Sequence, residues 1–332
     1  MKILVTGAAG FIGNHVALSL LDAGHEVLSI DNCNAYYDPS LKAARLERLQ
    51  SYAAFENIKL DLSETLKVLD VFSKFCPQRV IHLAAQAGVR YSFDHPEAYV
   101  SSNLVGFFSV LEACRQAHVE HLIYASTSSV YGANKEMPFS EKAPVNHPLS
   151  FYAATKRSNE VMAHAYSHLY KIPTTGVRFF TVYGPWGRPD MALFKFTKAI
   201  LTGEPIILYN YGKMKRDFTY IDDIVTGVIK VSAQPAEISL EAKDIDKSPV
   251  APYRIYNIGN SAPVDLTDYV RAIEEALGKK ATCAMAPLQQ GDVPETYADT
   301  TALQRDFSYH PNTPVAEGVA RFVTWYKDFY NI

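Results

Sequence analysis

The chain has 332 residues, 48% hydrophobic and 20% charged, which supplies a large globular core and excludes a disordered chain. Its formal net charge of −3 provides no global basic field for nucleic acid or an anionic membrane, so neither is expected as a partner. The four cysteines, Cys33, Cys76, Cys114 and Cys283, form no CxxC pair, which argues against a metal site or a disulfide framework and suits a reducing cytoplasm.

A first strand is predicted over Lys2–Thr6, broken at once by Thr6-Gly7-Ala8-Ala9-Gly10, so no signal-peptide core forms. No later stretch reaches the roughly 18 apolar residues that span a bilayer, and a soluble protein is expected. A helix over Gly13–Ala23 is followed by a strand over Glu26–Ile30 and a short one at Ile58–Lys59. Then come a helix over Leu66–Phe75, a strand over Arg79–Leu83 and a helix over Ala98–Ala117. A strand over His121–Ser126, a helix over Phe151–Tyr170 and a strand over Thr174–Arg178 complete the series. Apolar strands alternating with helices predict an α/β fold, a Rossmann-type doubly wound parallel sheet.

After about residue 180 the rhythm changes. Gly184-Pro185-Trp186-Gly187-Arg188-Pro189 is loop chemistry, and the elements beyond it are short. Gln234–Pro252 is polar, carries three prolines and reads as a surface loop. The expected organisation is a cofactor domain over 1–180, with segments of about 215–258 returning to it. A smaller, discontinuous C-terminal substrate lobe takes 181–214 and 259–332.

Gly7, Gly10 and Gly13, with Phe11 and Ile12 between, sit where the first strand meets the first helix. The GxxGxxG spacing is a variant of the dinucleotide fingerprint. Gly7 permits the turn, Gly10 lets backbone approach a pyrophosphate, and Gly13 packs helix on strand. The helix N-terminus offers free N–H groups to phosphate. Asp31, followed by Asn32, ends the second strand 18 positions after Gly13, where a carboxylate accepts from both ribose hydroxyls and repels a 2′-phosphate. NAD is therefore expected in preference to NADP. Asp61-Leu62, after the third strand, either meets the adenine ring or serves as a helix cap followed by a core leucine.

Tyr152 and Lys156 stand at i and i+4 of one predicted helix and so share a face. A nearby ammonium favours a phenolate and makes the tyrosine a general base, although such pairs also arise by chance on surface helices. Upstream, Ser126-Thr127-Ser128-Ser129 places hydroxyls at the carboxyl end of a strand, where open α/β sheets bind ligands.

With these residues in place, the chain resembles the extended short-chain dehydrogenase/reductase family over nearly its full length, and within it the NAD-dependent nucleotide-sugar 4-epimerases acting on UDP-glucuronate. The stretches carrying the resemblance are His82–Arg90 (HLAAQAGVR), Arg178–Ala192 (RFFTVYGPWGRPDMA), Arg216–Asp223 (RDFTYIDD), Tyr253–Asn260 (YRIYNIGN) and Gly291-Asp292-Val293. The resemblance implies a Thr127–Tyr152–Lys156 catalytic set, with Lys156 bridging to the nicotinamide ribose. It places Leu83, Ala84 and Ala85 along the cofactor, Arg216 near the diphosphate and Asp292 near the nucleotide of a UDP-sugar. It puts Arg90 on the substrate side, and Arg188, Thr181 and Ser128 at the sugar carboxylate. A guanidinium fork suits a carboxylate, whereas the bland alternative for Arg188 is a solvated loop charge.

Relatives that eliminate water or carbon dioxide generally carry an acid just before the VYG of the hydroxyl loop. Ser129 stands there instead, which argues against a 4,6-dehydratase and, less firmly, against a UDP-glucuronate decarboxylase. The family's usual Gln-Pro-Gly-Asp reads Gln289-Gln290-Gly291-Asp292, a change expected to soften that loop. Besides the decarboxylase, the rivals are a UDP-glucose/UDP-galactose epimerase, in which Arg188 is idle, and a non-catalytic NAD-binding sensor, which has no need of the Tyr/Lys pair. The resemblance implies a homodimer made through the helices near 100–117 and 151–170.

Overall fold

The computed structural model describes residues 1–239 and 247–332, so residues 240–246 of the expected Gln234–Pro252 surface loop lie outside the described residues. The chain starts with β1 (Lys2–Thr6), α1 (Phe11–Asp22), β2 (Glu26–Asp31), α2 (Pro39–Gln50), β3 (Phe55–Lys59), α3 (Thr65–Phe75) and β4 (Arg79–His82). Two single turns, α4 (Tyr91–Asp94) and α5 (Pro96–Tyr99), lead through a π-helical turn at Val100–Val105 into α6 (Gly106–Gln116). Then follow β5 (His121–Thr127), α7 (Phe151–Tyr170), β6 (Thr174–Phe179), β7 (Thr181–Tyr183), α8 (Ala192–Thr202), β8 (Ile206–Leu208), β9 (Lys215–Tyr220) and α9 (Ile221–Ala233). The remaining elements are β10 (Tyr253–Ile258), β11 (Pro263–Asp265), α10 (Leu266–Leu277), β12 (Cys283–Met285), α11 (Thr301–Phe307) and α12 (Val315–Tyr330).

Seven strands form one parallel sheet in the order β10-β6-β5-β4-β1-β2-β3. Ile3, Leu4 and Val5 of β1 are all buried, as a central strand covered on both faces requires. From β1 the chain moves outward to β2 and β3, then crosses back to β4 on the other side of β1. Thr6 is paired with both Ile30 and His82, so the crevice at this reversal opens beside the end of β1.

Of the later segments expected to return to the sheet, β10 does so as the seventh strand beside β6. β9 does not: it pairs in parallel with β7 and antiparallel with β11 in a separate three-stranded sheet, because Thr181–Tyr183 supplies its edge. β8 and β12 make a two-stranded parallel pair. Aromatic contacts among Phe194, Phe322, Trp325 and Tyr326 join α8 to α12 on this side of the cleft.

Three elements depart from the sequence expectation. β3 begins at Phe55 rather than Ile58; it is the sheet edge, and its half-exposed residues give no apolar run. α2 was not expected, since its buried face mixes Leu41, Leu46 and Leu49 with Lys42 and Arg45; Asp38 caps it by accepting from Ser40 N–H at 2.9 Å, with Pro39 in the first turn. The single helix expected over Ala98–Ala117 is interrupted by the π-helical turn. That turn carries Asn103, whose side chain accepts from Gln86 N–H at 2.8 Å and donates to Gln86 O at 3.0 Å and Thr155 Oγ1 at 3.1 Å, tying the β4 loop to α7.

Candidate active site

The carboxyl ends of the strands open into a cleft of about 900 Å³, and every site residue expected from the sequence lines it. At one end is the glycine turn. Gly7 has φ +84, and a Cβ there would lie 2.8 Å from Ala84 N, so the turn and the β4 loop touch through bare backbone. Thr6 Oγ1 accepts Ala84 N–H at 3.1 Å and is itself fixed by buried His82 at 2.8 Å, which sets Leu83, Ala84 and Ala85 along the cleft. Gly13 does more than let helix meet strand: a Cβ there would stand 2.1 Å from the Gly7 carbonyl. α1 starts after Gly10 with no side-chain cap, leaving the N–H groups around Phe11 and Ile12 for an anionic ligand.

Asp31 closes this end. Its Oδ2 accepts Ala9 N–H at 3.0 Å and its Oδ1 accepts Cys33 N–H at 2.8 Å, so the carboxylate is aimed by the turn it serves. Asn32 donates to Asp61 Oδ2 at 2.8 Å, while Asp61 Oδ1 accepts from Ser63 N–H at 2.9 Å. Asp61 is therefore bound to the β2 loop, and the position capping α3 falls to Glu64; Leu62 is both core and cleft wall.

Across the cleft, Thr127 ends β5, and Ser150 caps α7 by accepting Ala153 N–H at 3.1 Å. This fixes Tyr152 in the first turn of α7 and Lys156 one turn on. Thr127 and Tyr152 line the cleft together, and the Thr127 hydroxyl favours the Tyr152 phenolate. Here the structure corrects an expectation. Burial pushes the Tyr152 phenol above its ordinary value, and the groups that pull it back are the Thr127 hydroxyl and the Arg188 charge rather than Lys156. Lys156 is itself drawn down to about 8 by burial, partly offset by Glu160. Glu160 stays charged because Arg178 donates to both its oxygens, at 2.8 and 3.0 Å, and Ser126 Oγ donates at 2.7 Å. Ser126 thus belongs to this buried network while also bordering the cleft, which Ser128 lines as well.

On the remaining wall, Thr181 opens β7 and Arg188 follows in the loop. Arg188 is not a solvated charge: Asp190 accepts from its Nε at 3.0 Å and from its Nη2 at 2.5 Å. Arg216 and Asp292 meet at 2.8 Å, with Arg90 at 3.7 Å from the same carboxylate. The loop with Gln290 in place of proline does not leave Asp292 loose, because Asp292 also accepts Val293 N–H at 3.1 Å. Tyr36, Arg45 and Asp190 escaped the sequence reading. Arg45 is fully buried and its guanidinium donates to Ala9 O, Tyr37 Oη, Trp186 O and Gly187 O, strapping the glycine turn to the Arg188 loop. The Asp38-Pro39 start of α2 was the available signal for it.

A glycine turn, a Tyr/Lys helix and a basic second wall around one cleft define a dinucleotide-dependent enzyme acting on a hydroxyl-bearing substrate. The chain belongs to the NAD dependent epimerase/dehydratase family, which matches residues 3–259. It is 53% identical to Protein CapI of Staphylococcus aureus over 99% of both chains. It is 49% identical to a probable UDP-glucuronate 4-epimerase of Rhizobium meliloti (strain 1021), over 99% of this chain and 98% of that one. Its fold is similar to that of the UDP-glucuronic acid 4-epimerase from Bacillus cereus in complex with UDP-glucuronic acid and NAD, with TM-score 0.89, 33% identity, and 99% and 100% of the two chains covered.

Proposed function

We infer that the protein interconverts UDP-glucuronate and UDP-galacturonate by NAD-dependent inversion at C4, through a transient 4-keto sugar. The observation that carries this is the lining of one cleft by Arg188 and Thr181, by Thr127, Tyr152 and Lys156, and by the glycine turn. The residues fit NAD. Gly7 and Gly13 leave no room for side chains, the first turn of α1 takes the pyrophosphate, and Asp31 takes the adenosine ribose while disfavouring a 2′-phosphate. Bound there, NAD would supply a hydride acceptor and donor for C4 of the sugar, with no net oxidation.

This chain's residues supply the rest. The Tyr152 phenolate, favoured against burial by the Thr127 hydroxyl and the Arg188 charge, takes the proton of the 4-hydroxyl and later returns one. Lys156 would orient the nicotinamide ribose. Arg216 faces the diphosphate, Asp292 the nucleotide, and Arg90 stands on the substrate side, within 3.7 Å of the Asp292 carboxylate. Arg188 and Thr181, with Ser128 close by, bind the C6 carboxylate. Oxidation at C4 makes a β-keto acid, which loses carbon dioxide when the C5–C6 bond stands perpendicular to the carbonyl plane; a carboxylate clamped by Arg188 is kept from that alignment. Ser129, where an acid would serve elimination, fits the same reading. A UDP-glucose/UDP-galactose epimerase would leave Arg188 without a substrate partner.

The cofactor is assigned to residues 1–180 with the later returning strand, and the sugar nucleotide to 181–214 and 259–332. The chain is read as a homodimer, supported by exposed Val105, Phe108 and Val161 on the helices near 100–117 and 151–170. It is read as cytoplasmic, supported by four free cysteines; among the described residues no helix is long and apolar enough to cross a membrane. The test is incubation with a panel of UDP-sugars without added NAD, followed by proton NMR and by identification of the cofactor released on denaturation. UDP-galacturonate from UDP-glucuronate and released NAD(H) are expected; turnover confined to neutral sugars, or release of NADP(H), contradicts the reading.

A further inference from the structure

Loops far apart in sequence converge on Arg188. Asp190 occupies the Nε–Nη2 edge of its guanidinium, at 3.0 and 2.5 Å, which leaves the Nη1–Nη2 edge for a second carboxylate. Asp190 Oδ2 also accepts the Tyr36 hydroxyl at 3.2 Å, and Tyr36 comes from the β2 loop, 154 positions earlier. Tyr36 is confined in turn. Its ring meets Tyr91 at 4.7 Å, and Gly88, at φ +105, passes so near that a Cβ there would lie 2.8 Å from the Tyr36 hydroxyl.

The backbone leading to Arg188 is fixed independently. Arg45 donates to Trp186 O at 3.1 and 2.6 Å and to Gly187 O at 3.0 Å, so the side chain of Arg188 is the remaining freedom, and Asp190 removes it. A bidentate carboxylate pair demands a guanidinium in a defined plane, and a reader of carboxylates gains from one held there before the ligand arrives.

From this convergence we propose that Asp190, steadied by Tyr36, sets the protein's preference for a uronic acid over a neutral sugar by holding Arg188 in the plane its carboxylate meets. The proposal rests on reading Arg188 as the carboxylate's partner. Asp190 acts through Arg188 and is a positioning residue. Asn at this position keeps the shape, but sets an NH₂ donor against a guanidinium donor and tears one side of the fork.

The experiment titrates NAD-loaded protein with UDP-glucuronate and with UDP-glucose by calorimetry, and reads the ratio of the two Kd values. Asp190→Asn lowers the preference for glucuronate about tenfold, Tyr36→Phe about threefold, and Asp190→Glu recovers part of the loss. In turnover of UDP-glucuronate the change falls on KM more than on kcat. An unchanged ratio in Asp190→Asn, a ratio shifted towards glucuronate, or equal weakening of both ligands as a purely structural role predicts, overturns the proposal. Arg188→Ala separates the two levels. If it lowers the ratio while Asp190→Asn does not, only the Asp190 proposal fails; if it leaves the ratio unchanged, the carboxylate reading fails and takes this proposal with it.

Discussion

The two walls of the cleft are built in different ways. The cofactor wall is made largely of backbone: Gly7, Gly10 and Gly13 form one turn that meets the β4 loop backbone to backbone at Ala84, and Asp31 accepts from the N–H groups of Ala9 and Cys33. The substrate wall is made of side chains brought from far apart. Arg216 and Asp292 pair across 76 positions, and Tyr36 reaches Asp190 across 154. A wall set by local backbone geometry fixes which cofactor class binds. A wall set by long-range side-chain pairs can be retuned residue by residue, and the proposed function assigns the choice of sugar to it.

Breaking the chemistry that both walls share should have the largest effect. Tyr152→Phe is expected to keep the fold and its bound NAD while turnover falls by a factor on the order of 10²–10⁴. Turnover within a few-fold of the parent in folded, NAD-loaded protein would remove Tyr152 as the base. Breaking the substrate wall alone should be milder and selective. Arg188→Ala is expected to lower kcat/KM for UDP-glucuronate by roughly 10–100-fold, the worth of a charged bidentate contact, with a smaller loss on UDP-glucose. Release of UDP-4-keto-pentose, followed by NMR, would show that the clamp also guards the β-keto acid; lost selectivity without pentose would leave Arg188 a binder only.

The smallest effect concerns stability. Lys156 in the folded protein titrates at about 8, below the ordinary 10.5, so its charged form is penalised by burial. The penalty is complete below pH 8 and fades as pH rises from 8 towards 10.5, where the folded chain has shed a proton that the unfolded chain still binds. Lys156→Met, measured without added nucleotide, should melt above the parent at pH 7, with the gap narrowing above pH 8. A gap independent of pH would place the difference in packing instead.

The same contrast explains what could be read in advance. The glycine turn, Asp31 and the Tyr152/Lys156 spacing are local patterns whose geometry follows from one βα unit or one helical turn. The sequence shows only the end of β3, because an edge strand with half-exposed residues lacks an apolar run. α2 is hidden in the sequence because Lys42 and Arg45 are buried on the face where apolar residues are expected, and Arg45 is tolerated there only because backbone carbonyls and Tyr37 receive its donors. Neither Asp190 nor Tyr36 carries a local signal, since their partnership exists only once the β2 and β7 loops meet. Lys156 shows the same limit: spacing shows that two groups share a face, while burial decides which charge each of them favours.

The claim that joins the two walls is that hydrogen leaves C4 and returns to the same carbon on its other face, within one protein molecule. UDP-glucuronate carrying deuterium at C4, incubated in ordinary water without added NAD, tests it directly. The account predicts UDP-galacturonate with the deuterium still at C4. Product carrying solvent hydrogen at C4, or no inversion unless NAD is supplied stoichiometrically, would contradict it.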